Sequence, residues 1–310
     1  MNKIFRLVRW HNLLIMILIM VLVRYFLIAL PLDTAHVELP QSSFHFALLV
    51  IAMVLIVAAG YVINDYFDMD VDGFNKPERQ LAGKIIPADS IKRLYWILNL
   101  SGLVIAFVLS YLIQSYRLAL IMIMISGLLY FYSSRYKRMV LVGNLVIAFV
   151  AAAGIIIVWF FELTALLDDQ YAFVDATRAM PVITGFVFAY ALFAFLSTFI
   201  REFIKDIEDH AGDERCGCRT FAVVYGVTVS RNLALGLSVV LVSMIGFWQY
   251  ILYYRDMHHA MYFLFICDLI GLAIFFRLYT ASIKAHYNQA SVLLKALMMS
   301  GTLSIPLLYL

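Results

Sequence analysis

The chain has 310 residues, of which 64% are hydrophobic and 14% charged, with a mean hydropathy of +0.91. A soluble domain carries close to half apolar and about a quarter charged residues, so this composition excludes a soluble globular protein and indicates an all-α, multi-pass membrane chain. The formal net charge of +3 comes from loops on one side of the membrane and suggests no nucleic-acid partner.

Met1 to Trp10 carries Lys3, Arg6 and Arg9 ahead of an apolar run, as a signal peptide would. That run is long, contains Arg24, and reaches Pro31 and Asp33 without a small-x-small cleavage site, so it reads as an uncleaved first helix. In chain order, apolar segments of bilayer-spanning length fall at about 12–30, 44–63, 94–113, 118–133, 139–160, 181–200, 232–253, 260–279 and 290–309. The positive-inside rule sets their direction. Lys76, Arg79, Lys84, Lys92 and Arg93 follow the second span, Arg135, Lys137 and Arg138 the fourth, and Arg201, Lys205, Arg215, Arg219 and Arg231 the sixth. Loops on the other side hold no basic residue or one each: Arg117, Arg178 and Arg255. The N-terminus and the even-numbered loops are therefore expected in the cytoplasm and the C-terminus outside. A prokaryotic plasma membrane is the expected location.

Two acidic segments stand out. A shift of 141 residues carries Asp65, Asp68 and Asp72 onto Asp206, Asp209 and Asp213, both spaced D-x-x-D-x-x-x-D and both after a long apolar run. Positions i, i+3 and i+7 share one helical face, so each triplet is expected to project its carboxylates together. Adjacent anions repel, and an oxygen-only set suits Mg²⁺ or Ca²⁺ better than zinc. Four spans separate the triplets, which predicts parallel pseudo-repeats at about 1–138 and 139–279 plus a ninth helix at 290–309, all within one domain over 1–310. Such repeats are expected to close around a central cavity with the acids at its mouth.

Cys216, Cys218 and Cys267 read as incidental thiols, since the C-x-C pair lies on the reducing side and lacks a second pair to complete a zinc site. Asn12 and Asn144 lie in or near spans and are expected to meet a partner or a cavity. Arg24 is expected to face the helix bundle or snorkel. His210 is expected to be a solvated loop residue, and His258 and His259 are placed in an outer loop.

Asn64-Asp65-Tyr66-Phe67-Asp68-Met69-Asp70-Val71-Asp72 with Asn75-Lys76-Pro77-Glu78-Arg79 resembles the first motif of the UbiA superfamily of intramembrane prenyltransferases. Arg201-Glu202-Phe203-Ile204-Lys205-Asp206-Ile207-Glu208-Asp209, continuing to Gly212-Asp213, Gly217 and Arg219-Thr220, resembles the second. Tyr132-Ser133, Lys137-Arg138 and Gly143-Asn144 extend the likeness, with weaker echoes at Arg9, Asn12, Lys295 and Gly301. The extra Asp206 is most similar to the branch acting on geranylgeranylglyceryl phosphate. That branch usually continues Arg-Pro-Ile-Pro-Ser-Gly, where this chain has the shorter Arg79-Gln80-Leu81-Ala82-Gly83.

The resemblance implies Mg²⁺-dependent transfer of a polyprenyl group, geranylgeranyl first, from its diphosphate to a lipophilic or phosphorylated acceptor. Prenylation of an aromatic quinone precursor is the alternative, and a secondary transporter the distant one. It further implies that Asn64, Asp65, Asp68, Asp72, Asp206, Asp209 and Asp213 hold metal. Asp68, Asp72, Asp209, Asp213 and Lys137 are the expected catalytic residues. Asn64, Lys76, Arg79, Tyr132, Arg138, Asn144, Arg201 and Lys205 are expected to contact substrate, because guanidinium forks and ammonium charges suit phosphate oxygens. Apolar and aromatic walls, with Tyr61, Tyr66, Tyr130, Tyr132 and Tyr190 as candidates, are expected to shield an allylic cation from water.

Overall fold

The computed structural model describes residues 3–75 and 81–310. Its helices are α1 (Lys3–Leu7), α2 (Trp10–Leu22), α3 (Leu30–Thr34), α4 (Ser43–Phe67), α5 (Met69–Asn75), α6 (Ala88–Leu112) and α7 (Tyr116–Ser134), followed by α8 (Val142–Asp168), α9 (Gln170–Ala176), α10 (Met180–Arg215), α11 (Phe221–Tyr225), α12 (Val227–Tyr254), α13 (His258–Tyr279) and α14 (Lys284–Leu303). A π-helical stretch, Val23–Ala29, joins α2 to α3 into one long segment. Among the described residues, nine segments are long and apolar enough to cross a membrane. Each overlaps one of the apolar runs read from the sequence, and the chain is a multi-pass helical membrane protein. The described residues form no strand beyond an isolated bridge between Ala82 and Ile86.

Two helices depart from expectation. α10 runs for 36 residues, far past residue 200 where its apolar run ends. Its C-terminal half stays helical because Phe203, Ile204 and Ile207 are buried along one side, and no proline interrupts it. Gly217 stops it. With φ at +68°, the glycine occupies the left-handed region that costs other residues a steric penalty. The Cys218 N–H then bonds the Asp213 carbonyl at 2.9 Å and the Gly217 N–H bonds that of Glu214 at 3.1 Å, closing the helix in a Schellman arrangement. The second departure corrects the reading of the first acidic triplet. α4 ends at Phe67, Asp68 is its C-cap at φ −91° and ψ 2°, and α5 begins at Met69. Asp65, Asp68 and Asp72 therefore do not share one continuous helical face, whereas Asp206, Asp209 and Asp213 all lie on α10.

Contacts divide the chain into two compact units, one of Met1–Lys137 with Ala153–Phe188 and one of Arg138–Ala152 with Ala189–Leu310. In the first, α4, α6 and α7 pack on one another. Gly102 on α6 admits the close approach, since a Cβ there would lie 3.1 Å from the Ala52 carbonyl oxygen on α4. Leu7, Ala59, Val62, Ile63, Ile91 and Tyr95 form a core cluster next to the first acidic motif. Asn99 on α6 accepts from the Ser126 hydroxyl on α7 at 2.8 Å, a buried polar pair that links the two helices. Arg24 turns inward and is fully buried.

In the second unit α13 packs against α12 and α14. Tyr190 of α10 is buried, with its hydroxyl 2.9 Å from that of Ser304 and its ring 6.2 Å from Trp248, an interior packing role. Cys216, Cys218 and Cys267 are not joined in disulfides. His258 and His259 open α13 instead of lying in a loop.

Candidate active site

In the first unit the acids sit where α4 ends. Asp65, on its last turn, accepts from Arg9 Nη2 at 2.8 Å. Arg9 comes from the break between α1 and α2, where its φ of +52° places a residue with a Cβ in the left-handed region. Its guanidinium carbon lies 4.9 Å from the centre of the Tyr61 ring, and Asn12 Nδ2 donates to the Tyr61 hydroxyl at 3.3 Å. Burial works against the Arg9 charge, yet Asp65 and Tyr61 beside it outweigh that and hold its pKa above the ordinary value.

Asp68 is only 6% exposed and is held from two sides. Asn64 Nδ2, one turn back on α4, donates to Asp68 Oδ2 at 2.7 Å. The Lys137 ammonium, carried by the 3₁₀ turn Tyr136–Arg138 after α7, bonds the same oxygen. Tyr132 is half-buried near the end of α7, and Arg138 is exposed. Tyr130 packs between Phe67 and Tyr95, at ring separations of 6.0 and 6.1 Å. The Lys92 ammonium lies 4.9 Å from the Tyr66 ring centre. Lys76 and Arg79 lie outside the described residues, as does the side chain of Asp72.

In the second unit the long α10 carries the motif. Asn144, near the start of α8, donates to Asp206 Oδ2 at 2.9 Å. Arg201 Nη1 and Lys205 Nζ both donate to Glu202 Oε1 at 2.7 Å, which the sequence reading had left without a role. Asp209 lies 3.4 Å from Lys284 Nζ, and Glu208 accepts from Asn288 Nδ2 at 3.1 Å, so the start of α14 reaches the motif. Asp213 is buried at 9% exposure. His210 is half-buried.

The arrangement answers the repulsion problem in a specific way. Asp65, Asp68, Asp206 and Asp209 each rest on a basic or amide group. Among the described residues no three acidic, histidine or cysteine side chains converge as a ready metal cluster. The donor set nevertheless fits a hard divalent ion. Asn64 Oδ1 is buried with no hydrogen-bond partner while its Nδ2 is engaged by Asp68, which leaves a neutral oxygen beside a carboxylate, the ligand chemistry Mg²⁺ takes.

Residues 26–299 match the UbiA prenyltransferase family, and this helical membrane chain belongs to that family. A protein named digeranylgeranylglyceryl phosphate synthase from Methanobrevibacter smithii is 30% identical over 194 residues. That alignment covers 62% of this chain and 62% of the relative, so the match extends over less than two thirds of the relative's length. A solved structure described as digeranylgeranylglyceryl phosphate synthase in membranes is 25% identical, with a TM-score of 0.61, covering 97% of this chain and 95% of that one. A UbiA homologue from Archaeoglobus fulgidus bound to GPP and Mg²⁺ shares the fold at 15% identity, with a TM-score of 0.53 over 98% of this chain and 100% of that one.

Proposed function

We propose that this chain is a Mg²⁺-dependent prenyltransferase that moves a polyprenyl group, geranylgeranyl first, from its diphosphate to a geranylgeranylglyceryl-phosphate-type lipid. The observation that carries it is the environment of Asp68: a buried carboxylate shared by Asn64 and Lys137, with Asn64 Oδ1 left unsatisfied, in a chain of this family. The acceptor rests on the likeness to relatives named as digeranylgeranylglyceryl phosphate synthases. The donor and metal agree with the homologue of this fold bound to GPP and Mg²⁺.

In this reading Asn64, Asp65, Asp68, Asp72, Asp206, Asp209 and Asp213 hold divalent ions. Bound there, Mg²⁺ would supply Lewis-acid charge for the diphosphate as the allylic C–O bond breaks. Lys137, Arg201 and Lys205, with Lys76, Arg79 and Arg138, bind phosphate oxygens, and Tyr132 and Asn144 contact substrate. Lys137 has two tasks: it balances Asp68 when no ion is present and donates to the diphosphate when Asp68 is otherwise engaged. The apolar helix walls exclude water, which would capture the allylic cation ahead of the acceptor. The N-terminus and the motif loops face the cytoplasm of a plasma membrane in this assignment, with the C-terminus outside.

The test is turnover by the purified full chain with Mg²⁺, labelled geranylgeranyl diphosphate, and a panel of geranylgeranylglyceryl phosphate and aromatic acids. Prenylated glyceryl lipid is the expected product, and Asp68→Ala or Asp209→Ala each lowers diphosphate release by at least about a hundredfold. Product from an aromatic acid alone overturns the acceptor. Normal diphosphate release by both variants overturns the metal assignment.

A further inference from the structure

The polar stripe of α10 reaches further into the apolar part of the helix than the motif does. At about 100° per residue, Thr198 falls on the same face as Glu202, Lys205 and Asp209, with Asp206 and Arg201 flanking it. It lies about 12 Å along the axis from Asp206, at 1.5 Å per residue, toward the membrane interior. Thr198 is 7% exposed, and its hydroxyl has no hydrogen-bond partner.

That is unusual for a hydroxyl in an apolar helix, which ordinarily turns back onto the carbonyl one turn earlier. Adjacent Ser197 does so, donating to the Phe193 carbonyl at 2.6 Å, as do Ser133 on α7, to that of Leu129 at 2.9 Å, and Thr302 on α14, to that of Met298 at 2.9 Å. A second orphan lies one turn on. Arg201 is fixed through Nη1 on Glu202 at 2.7 Å, while its buried Nε has no acceptor. Residues at i and i+3 are neighbours on a helix surface, so two unsatisfied donors stand side by side. Leaving both unmade costs free energy that an oxygen ligand would recover.

We infer that the Thr198 hydroxyl and the Nε edge of Arg201 together receive one phosphate oxygen of a substrate at the inner end of the α10 stripe. Glu202 is the positioning residue, since its carboxylate holds the guanidinium by the other edge. The requirement is an anionic oxygen, because a hydroxyl O–H and a guanidinium N–H both donate to it and the guanidinium adds charge. The inference rests on the prenyl-transfer reading, which supplies two carriers of such an oxygen: the prenyl diphosphate and the phosphorylated acceptor lipid.

The experiment is equilibrium binding to the full chain in detergent with Mg²⁺, using two probes separately. One is the unreactive thiolo analogue of geranylgeranyl diphosphate, and the other is geranylgeranylglyceryl phosphate. Thr198→Val removes the hydroxyl at nearly constant volume, and Thr198→Ser restores it. A lost hydrogen bond to a charged group predicts that the valine variant binds one probe about tenfold more weakly or worse. Serine recovers the affinity, and the thermal midpoint does not fall. The weakened probe identifies which phosphate sits at Thr198. Unchanged affinity for both probes, or a loss that serine does not restore, overturns the inference. A wild-type chain that binds neither probe overturns the prenyl-transfer reading itself and this inference with it.

Discussion

Arg24 Nε donates to Glu162 Oε1 at 2.7 Å, with side-chain exposures of 1% and 0%, which makes the pair a charge couple inside an apolar unit. The other contacts complete it. Arg24 Nη2 donates to the Gln41 carbonyl, and the Gln41 N–H donates to Glu162 Oε2 at 3.0 Å. The guanidinium carbon lies 4.5 Å from the Phe46 ring centre. The pair thus ties α8 and the π-helical stretch to the loop between α3 and α4.

Desolvated partners punish the loss of one member more than the loss of both. Glu162→Gln is expected to cost about 3–5 kcal/mol, because the buried guanidinium then has no counter-charge. Arg24→Met combined with Glu162→Met is expected to recover most of that loss. Denaturant unfolding in detergent of Arg24→Met, Glu162→Met and their double measures the coupling. A double variant as unstable as the sum of the singles would remove the pair from this account.

Lys137 gives a prediction with two opposite signs. It pairs with Asp68 and is itself 37% exposed. Lys137→Met removes the cation paired with Asp68, the proposed metal ligand, so Mn²⁺ binding to the substrate-free chain should tighten about two- to fivefold. The same change should weaken binding of a prenyl diphosphate analogue by about tenfold, since the charge-assisted phosphate contact proposed for Lys137 is removed. Isothermal titration of each ligand separates the two effects. A purely structural Lys137 would move neither.

Arg9 combines strain with an ion pair, and two substitutions pull these apart. Its backbone is left-handed at φ +52°, a conformation that costs a side-chain-bearing residue about 1–2 kcal/mol. Arg9→Ala keeps that cost and loses the 2.8 Å contact to Asp65. Arg9→Gly loses the same contact and relieves the backbone. The glycine variant should therefore be the more stable by about 1 kcal/mol, read as the difference in unfolding midpoints. Equal midpoints would mean that the turn is unstrained.

Much of this was legible in the chain, and the failures have physical reasons. Apolar runs locate the nine segments because lipid-spanning length and a paired backbone leave few alternatives. The two acidic motifs were legible because carboxylates beside apolar runs have few structural uses. Run length, however, marks where lipid ends and not where a helix ends, so the α10 extension beyond residue 200 was missed. The same error hid Glu162, which lies two residues past the end assigned to its apolar run, and left Arg24 without a partner. The break at Asp68 was invisible because i, i+3, i+7 spacing is compatible with an unbroken helix. Asp209 with Lys284 and Asp206 with Asn144 are pairings across 75 and 62 residues, which one sequence does not reveal. Thr198 was overlooked because a lone hydroxyl in an apolar run normally bonds its own helix.

Helix packing in the first unit offers a last, independent prediction through two glycines. A Cβ on Gly102 would lie 2.9 Å from Ile56 Cγ1 and 3.1 Å from the Ala52 carbonyl oxygen. The isoleucine end can rotate, but the backbone oxygen belongs to α4 and moves only if the helix does. Gly102→Ala is therefore expected to destabilise by about 1–3 kcal/mol as α4 and α6 are forced apart, and Gly102→Leu by more. Gly127 on α7 is the control, with nothing within 4 Å of a built Cβ. There the helix propensity of alanine acts alone, so Gly127→Ala should stabilise by up to about 1 kcal/mol. Thermal midpoints of the two alanine variants in one detergent should move in opposite directions. A Gly102→Ala midpoint at or above wild type would show that α4 and α6 are not in the contact that the Ala52 carbonyl defines.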